Sequence, residues 1–190
     1  MEQVLLEYIS NNLDLTDEEV QFIIDLDIVK TYEKGTILLK EGQFSGNEYF
    51  IFQGCLRSYY MIDGVERTAE FYTELESVSP VCVATGKPSE YYLSCIEESV
   101  LLVANPEILQ SSFEKFPRFE RLCRTSTEQL LAQKQAALNN FRILSPEQRY
   151  LHLLDTRPDL MQRVPQYYLA SYLGITPQSL SRMRARLVKK

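Results

Sequence analysis

The side chains best equipped for chemistry in this sequence crowd its C-terminal end. Gln178, Ser179, Ser181, Arg182, Arg184, Arg186, Lys189 and Lys190 follow Thr176-Pro177 within fifteen residues. They are hydrogen-bond donors and cations, and no acidic residue follows Asp159. Leu180, Met183 and Leu187 recur among them at three- and four-residue spacing, which predicts a helix with one buried stripe. Its opposite face then carries Gln178, Ser181, Arg182 and Arg186, with Ser179 at the margin. Short hydroxyls and long donors on one helix face are what base edges and phosphates require in a major groove. The implied ligand is duplex DNA.

The elements that must position this face are also written locally. Leu169, Ala170 and Leu173 share a face of a preceding short helix, and Ala170 is small enough to let a second helix cross closely. Gly174 suits a left-handed helix end. Thr176 suits a cap, and Pro177 suits the first turn of the next helix. The result is a helix-turn-helix. Ser145-Pro-Glu-Gln148 is a capping box that opens a supporting helix with Tyr150, Leu151, Leu153 and Leu154.

Charge separates this end from the rest. The chain of 190 residues carries 20 basic and 26 acidic groups, a net of −6. Residues 142–190 hold nine Lys/Arg against Glu147, Asp155 and Asp159, a net of +6; residues 1–141 hold a net of −12. An acidic body beside a basic module favours docking on DNA through the module alone.

The body reads as strands. Leu56, Ser58, Tyr60 and Ile62 alternate with Cys55, Arg57, Tyr59 and Met61, and Asp63-Gly64 is a strong hairpin turn. Glycines at 35, 42, 46, 54 and 64 punctuate short β-rich segments through Val103, which predicts a compact antiparallel barrel or sandwich. Before it, Val4, Leu5 and Ile9 share a helical face, and Thr16-Asp-Glu-Glu19 is a capping box. After it, Pro106 begins a short helix. A long helix without Pro or Gly then runs from about Arg118 to Phe141, its apolar positions near a 3.5-residue repeat. The fold class is α+β: a β-roll flanked by helices, a long helix, and the helix-turn-helix.

Other chemistries find little support. Cys55, Cys82, Cys95 and Cys123 form no C-x-x-C pair, and the expectation is buried free thiols. The single histidine, His152, provides neither a metal cluster nor a triad, so no catalytic or metal-ligating residue is assigned and no cofactor is expected. No apolar run reaches the length of a membrane span, and the acidic start is unlike a signal peptide, so a cytoplasmic location is expected.

The order helix, β-roll, long helix, helix-turn-helix resembles the Crp/Fnr family of transcription regulators over nearly the whole chain. Gly35-Thr-Ile-Leu-Leu-Lys-Glu-Gly42, Tyr49-Phe-Ile-Phe-Gln-Gly-Cys-Leu-Arg57 and the run from Leu169 to Arg182 carry the resemblance. It implies a double-stranded β-helix of jelly-roll type as sensor (residues 1–117), a dimerisation helix (118–141) and a DNA-binding domain (142–190). It also implies a homodimer on a palindromic operator, with RNA polymerase a candidate partner.

Two departures refine what the resemblance implies. The family's phosphate cassette has a Gly-Glu pair and a later arginine that neutralises a cyclic phosphate. Residues Phe71 to Tyr92 contain no Gly-Glu, and the arginine's place falls at Ser89 or Glu90, with Lys87 the nearby cation. A buried phosphate needs paired charge, so cyclic AMP and cyclic GMP are not expected as tight ligands. A candidate pocket for an unknown uncharged or cationic effector comprises Tyr59, Tyr72, Glu74, Glu76, Lys87, Ser89, Glu90, Tyr91 and Tyr92; the alternative is that these tyrosines simply fill the roll. In the reading helix, many members have Thr-Arg-Glu-Thr-Val-Ser-Arg where this sequence has Thr176-Pro-Gln-Ser-Leu-Ser-Arg182. Arg182 suits guanine and Gln178 adenine, so a distinct operator is expected. The sequence ends at Lys190, before the family's usual β-hairpin wing, and the expectation is weaker, strongly salt-dependent binding. The alternative function is an effector-sensing β-roll that acts through a protein partner.

Overall fold

The computed structural model describes residues 15–188, without the side chains of Ser126 and Val188. The helical face at Val4, Leu5 and Ile9, and the cations Lys189 and Lys190, lie outside the described residues. Within them the chain divides into two compact units. One comprises residues up to Ser58 together with Phe71–Glu128; the other comprises Tyr59–Glu70 and Gln129 onward.

In the first unit, helix α1 (Asp17–Asp25) is opened by the expected capping box, Thr16 accepting from the Glu19 amide while Glu19 accepts from Thr16. The strands follow: β1 (Val29–Tyr32), β2 (Ile37–Leu39), β3 (Glu48–Gln53), β4 (Leu56–Ile62), β5 (Val65–Tyr72), β6 (Ser77–Val78), β7 (Tyr92–Cys95) and β8 (Ser99–Ala104), with the short helix α2 (Val81–Thr85) before β7. They form two four-stranded sheets, ordered β1-β8-β3-β6 and β2-β7-β4-β5. Apart from the β4–β5 hairpin, neighbours in each sheet are distant in sequence and the chain alternates between sheets, the winding of a β-roll. Apolar side chains from both sheets close on one core that includes Leu39, Tyr49, Ile51, Leu56, Leu93 and Leu101. Phe52, Val100 and the α1 residues Val20 and Ile23 make a second cluster, on which Phe119 packs.

The alternation expected along β4 is not the pattern of burial. Leu56, Arg57, Ser58 and Tyr59 are all buried, whereas Tyr60, Met61 and Ile62 are exposed. The root of the strand is covered on both faces, and its outer half on neither. The turn itself is as expected: Asp63 and Gly64 have φ of 52° and 74°, the two left-handed residues of a type I′ hairpin.

After β8 come α3 (Pro106–Lys115), capped by Asn105, and the long α4 (Pro117–Ile143), two residues longer at its C-terminal end than the sequence suggested. The second unit holds the outer part of the β4–β5 hairpin, the later turns of α4, and α5 (Pro146–Thr156), α6 (Pro158–Arg163), α7 (Gln166–Tyr172) and α8 (Pro177–Val188). α6 has no counterpart in the sequence reading, where Pro158 marked only an ending. There Pro158 instead opens a further short helix, a position where its missing N–H costs nothing. The hairpin is tied to the helices by Ser171, whose hydroxyl accepts from the Thr68 amide at 2.9 Å and donates to the Glu66 carbonyl at 3.4 Å. Lys134 on α4 adds an ion pair to Glu70 at 2.7 Å.

Candidate nucleic-acid interface and sensor cassette

The turn between α7 and α8 is built as its residues dictate. Gly174 has φ of 72°; the Ile175 amide bonds back to the Ala170 carbonyl and the Gly174 amide to Ser171, both at 3.0 Å. Together these two bonds make a complete Schellman motif, which ends α7 and redirects the chain. The Thr176 hydroxyl accepts from the Ser179 amide at 3.2 Å and donates to the Ser179 hydroxyl at 3.0 Å, capping α8. Leu169, Ala170, Leu173, Leu180 and Met183 are all buried at 5% exposure or less, so the two helices share one apolar seam. The turn rests on Phe141, whose ring is covered by the Arg149 guanidinium at 4.1 Å.

This seam leaves the other face of α8 uncovered. Thr176, Gln178, Ser179, Ser181, Arg182, Arg184 and Arg186 are all exposed. Ser179, Arg182, Met183, Ala185 and Arg186 line an open groove of about 500 Å³. Arg186 donates to Glu147 on α5 at 2.8 Å, a partner the sequence reading did not single out. A contact across 39 residues leaves no local signal, apart from the rarity of acids in this segment.

In the β-roll, the cassette between β6 and β7 is closed by its own residues. The Val81 amide at the start of α2 donates to the Tyr91 phenol oxygen at 3.2 Å. Ser89 is buried; its hydroxyl donates to the Tyr91 carbonyl at 2.8 Å and accepts from the Tyr91 amide at 3.2 Å. Its backbone pairs with the loop of Gly42 and Gln43. Ser89 and Tyr91 are thus brought together, and Tyr72 packs on the core cluster that includes Tyr91. Lys87 and Glu90 are exposed, and Tyr92 is half-buried at the start of β7. Glu74 and Glu76 serve the β5–β6 corner, accepting from the Gly54 amide at 2.9 Å and the Thr73 amide at 2.6 Å. Tyr59 is buried in the second unit.

The thiols divide. Cys55, Cys82 and Cys95 are buried as expected, but Cys123 is exposed on α4. Burial raises the Cys95 thiol from an ordinary 9.0 to about 11. The neutral thiol is therefore the folded form, and its contribution to stability is present below about pH 9 and lost as pH rises through about 11. Urea unfolding at stepped pH should show this alkaline fall, and Cys95→Ala should lessen it, the Tyr32 and Tyr49 phenols, also raised by burial, keeping the rest. Among the described residues no group of His, Cys, Asp and Glu is placed to hold a metal, and no helix is long and apolar enough to cross a membrane. His152 is exposed and bonded to Asn140 at 3.1 Å.

Residues 29–116 match the family model of the cyclic nucleotide-binding domain. Known structures extend the match over the whole fold. A CooA mutant from Carboxydothermus hydrogenoformans aligns at a TM-score of 0.70 and 17% identity, over 97% of this chain and 84% of that one. The c-di-GMP-responsive global regulator CLP from Xanthomonas campestris aligns at 0.68 and 19% identity, over 92% of each chain. The chain has the fold of these Crp/Fnr-type regulators, and its roll resembles a cyclic nucleotide-binding domain. FixK2 from Bradyrhizobium japonicum is similar at 0.66 and 16% identity, over 85% of this chain and 84% of that one. No curated protein sequence matches the chain. At these identities the Crp/Fnr likeness is one of architecture, an antiparallel β-roll followed by a long helix and C-terminal helices.

Proposed function

We propose that the chain is a homodimeric DNA-binding transcription regulator of the Crp/Fnr type that does not respond to cyclic AMP or cyclic GMP. The exposed polar and cationic face of α8 carries this reading: Gln178, Ser181, Arg182 and Arg184 are open to water, and Arg186 meets the half-exposed Glu147. Arg182 and Gln178 contact base edges; Thr176, Ser179, Ser181, Arg184, Arg186, Lys189 and Lys190 serve phosphates and the groove margin. Residues 1–117 form the sensor, 118–141 the dimerisation helix and 142–190 the reading head. Leu131, Leu138 and Phe141 on α4 are each more than half exposed, an apolar face that a second copy would cover and that would set two heads apart on a palindrome. The location is cytoplasmic, where DNA and RNA polymerase are available.

Tyr91 supports the negative part of the reading. Its phenol takes the α2 amide, and the place of the family's arginine falls at Ser89, whose hydroxyl is committed, or at the exposed Glu90. A cyclic phosphate there would lose its hydration without gaining a counter-charge. Calorimetric titration with either cyclic nucleotide is expected to give no saturable heat and no rise in unfolding temperature; micromolar binding refutes this. Selection from random duplexes tests the positive part. Enrichment of a palindrome is expected, and no enrichment even at low salt refutes the regulator.

A further inference from the structure

The reading face contains one contact that the fold does not need. Arg186 follows Arg182 by four residues, so both guanidinium groups stand on the same side of α8. The Arg186 Nη2 lies 2.8 Å from a Glu147 oxygen, the length of a charge-assisted hydrogen bond. Glu147 occupies the first turn of α5, whose backbone is fixed by Pro146 and the reciprocal Ser145–Gln148 capping box. The pair is open to water, with side-chain exposures of 69% for Arg186 and 37% for Glu147, and exposed pairs contribute little to stability. Asp159 is engaged elsewhere, by Arg157 and Arg163. Among the described residues, Glu147 is thus the acid seen holding a cation of the reading helix.

Resting on the DNA-reading role of α8, we infer that Glu147 is a positioning residue that holds Arg186 in register with Arg182 and cancels its charge. An arginine balanced in this way gains little from indiscriminate attraction to phosphate. It engages DNA only where the duplex offers an acceptor good enough to replace the carboxylate. Glu147 therefore lowers non-specific affinity more than specific affinity, and raises discrimination between sequences.

The test compares the full-length chain with E147Q and E147Q/R186A on the selected duplex and on a scrambled one, over a series of salt concentrations. E147Q keeps a side-chain acceptor for Arg186 but removes the charge. It should bind the scrambled duplex more tightly, with a salt slope steeper by about 0.9 per half-site, the value of one additional phosphate contact in each, and the ratio of the two dissociation constants should fall. In E147Q/R186A the added slope should vanish, because the released charge belongs to Arg186. The unfolding temperature should not change, which separates this from a structural role. An E147Q slope equal to the wild type overturns the inference, as does an added slope that survives in the double variant. A wild-type chain that binds no duplex at low salt instead sinks the DNA reading itself.

Discussion

Arg182→Ala is expected to abolish sequence-selective DNA binding while leaving the fold intact. Arg182 is exposed on α8, and Leu180 and Met183 beside it carry the packing at 1% and 5% exposure. Removing the guanidinium therefore costs the protein little, and within about ±0.5 kcal/mol in unfolding experiments. On DNA the same change removes a candidate bidentate contact to guanine, about 1–3 kcal/mol per half-site. A dimer loses two such contacts, so selective affinity should fall nearly a thousandfold, by about 4 kcal/mol, if each loss lies in the middle of that range. Binding to scrambled duplex should weaken only by the loss of general charge. A variant that weakens both duplexes equally would assign Arg182 to phosphate, and the reading of bases would pass to Gln178.

That the α7–α8 pair could be found in the sequence reflects how local its determinants are. The left-handed Gly174, the Thr176 cap and the apolar positions from Leu169 to Met183 each act within a few residues of where they stand. The Asp63-Gly64 turn and the boxes at Thr16 and Ser145 are of the same kind. What the sequence hides is set by distant segments. Arg57 sits at an ordinary strand position, yet the roll covers it to 1% exposure. Tyr91 reads as one more strand aromatic, but its hydroxyl closes the amide of a helix ten residues earlier. The hydroxyl of Ser171, in the first helix of the pair, meets a hairpin more than a hundred residues away. Charge asymmetry indicated which end is proposed to meet DNA; the restraint of Arg186 by Glu147 required the fold.

The largest effect on stability is expected from Gly54→Ala, at the step from β3 to β4. Gly54 has φ of +109°, a region almost closed to residues with a Cβ. A Cβ built there would lie 2.3 Å from the Ser99 Oγ and 2.7 Å from the Ser99 Cα. Neither side can retreat easily. Ser99 begins β8, is fully buried and pairs with Tyr32 of β1, while the Gly54 amide is held by Glu74 at 2.9 Å. Backbone strain of about 1–3 kcal/mol and overpacking of about 1–3 kcal/mol then add. Their sum is a large share of the roughly 5–15 kcal/mol that holds a domain of ordinary stability. Two further glycines separate the terms. At Gly42, φ is +79° but nothing lies within 4 Å of an added Cβ, so Gly42→Ala should cost the dihedral strain alone. At Gly46 an added Cβ meets only Pro106 Cδ at 3.9 Å, so Gly46→Ala should lie within about ±0.5 kcal/mol of the wild type. Urea midpoints at constant slope should therefore fall in the order Gly46→Ala, Gly42→Ala, Gly54→Ala. If Gly54→Ala matched Gly42→Ala, Ser99 would have moved aside, and the close approach of β8 to this step would not constrain the roll.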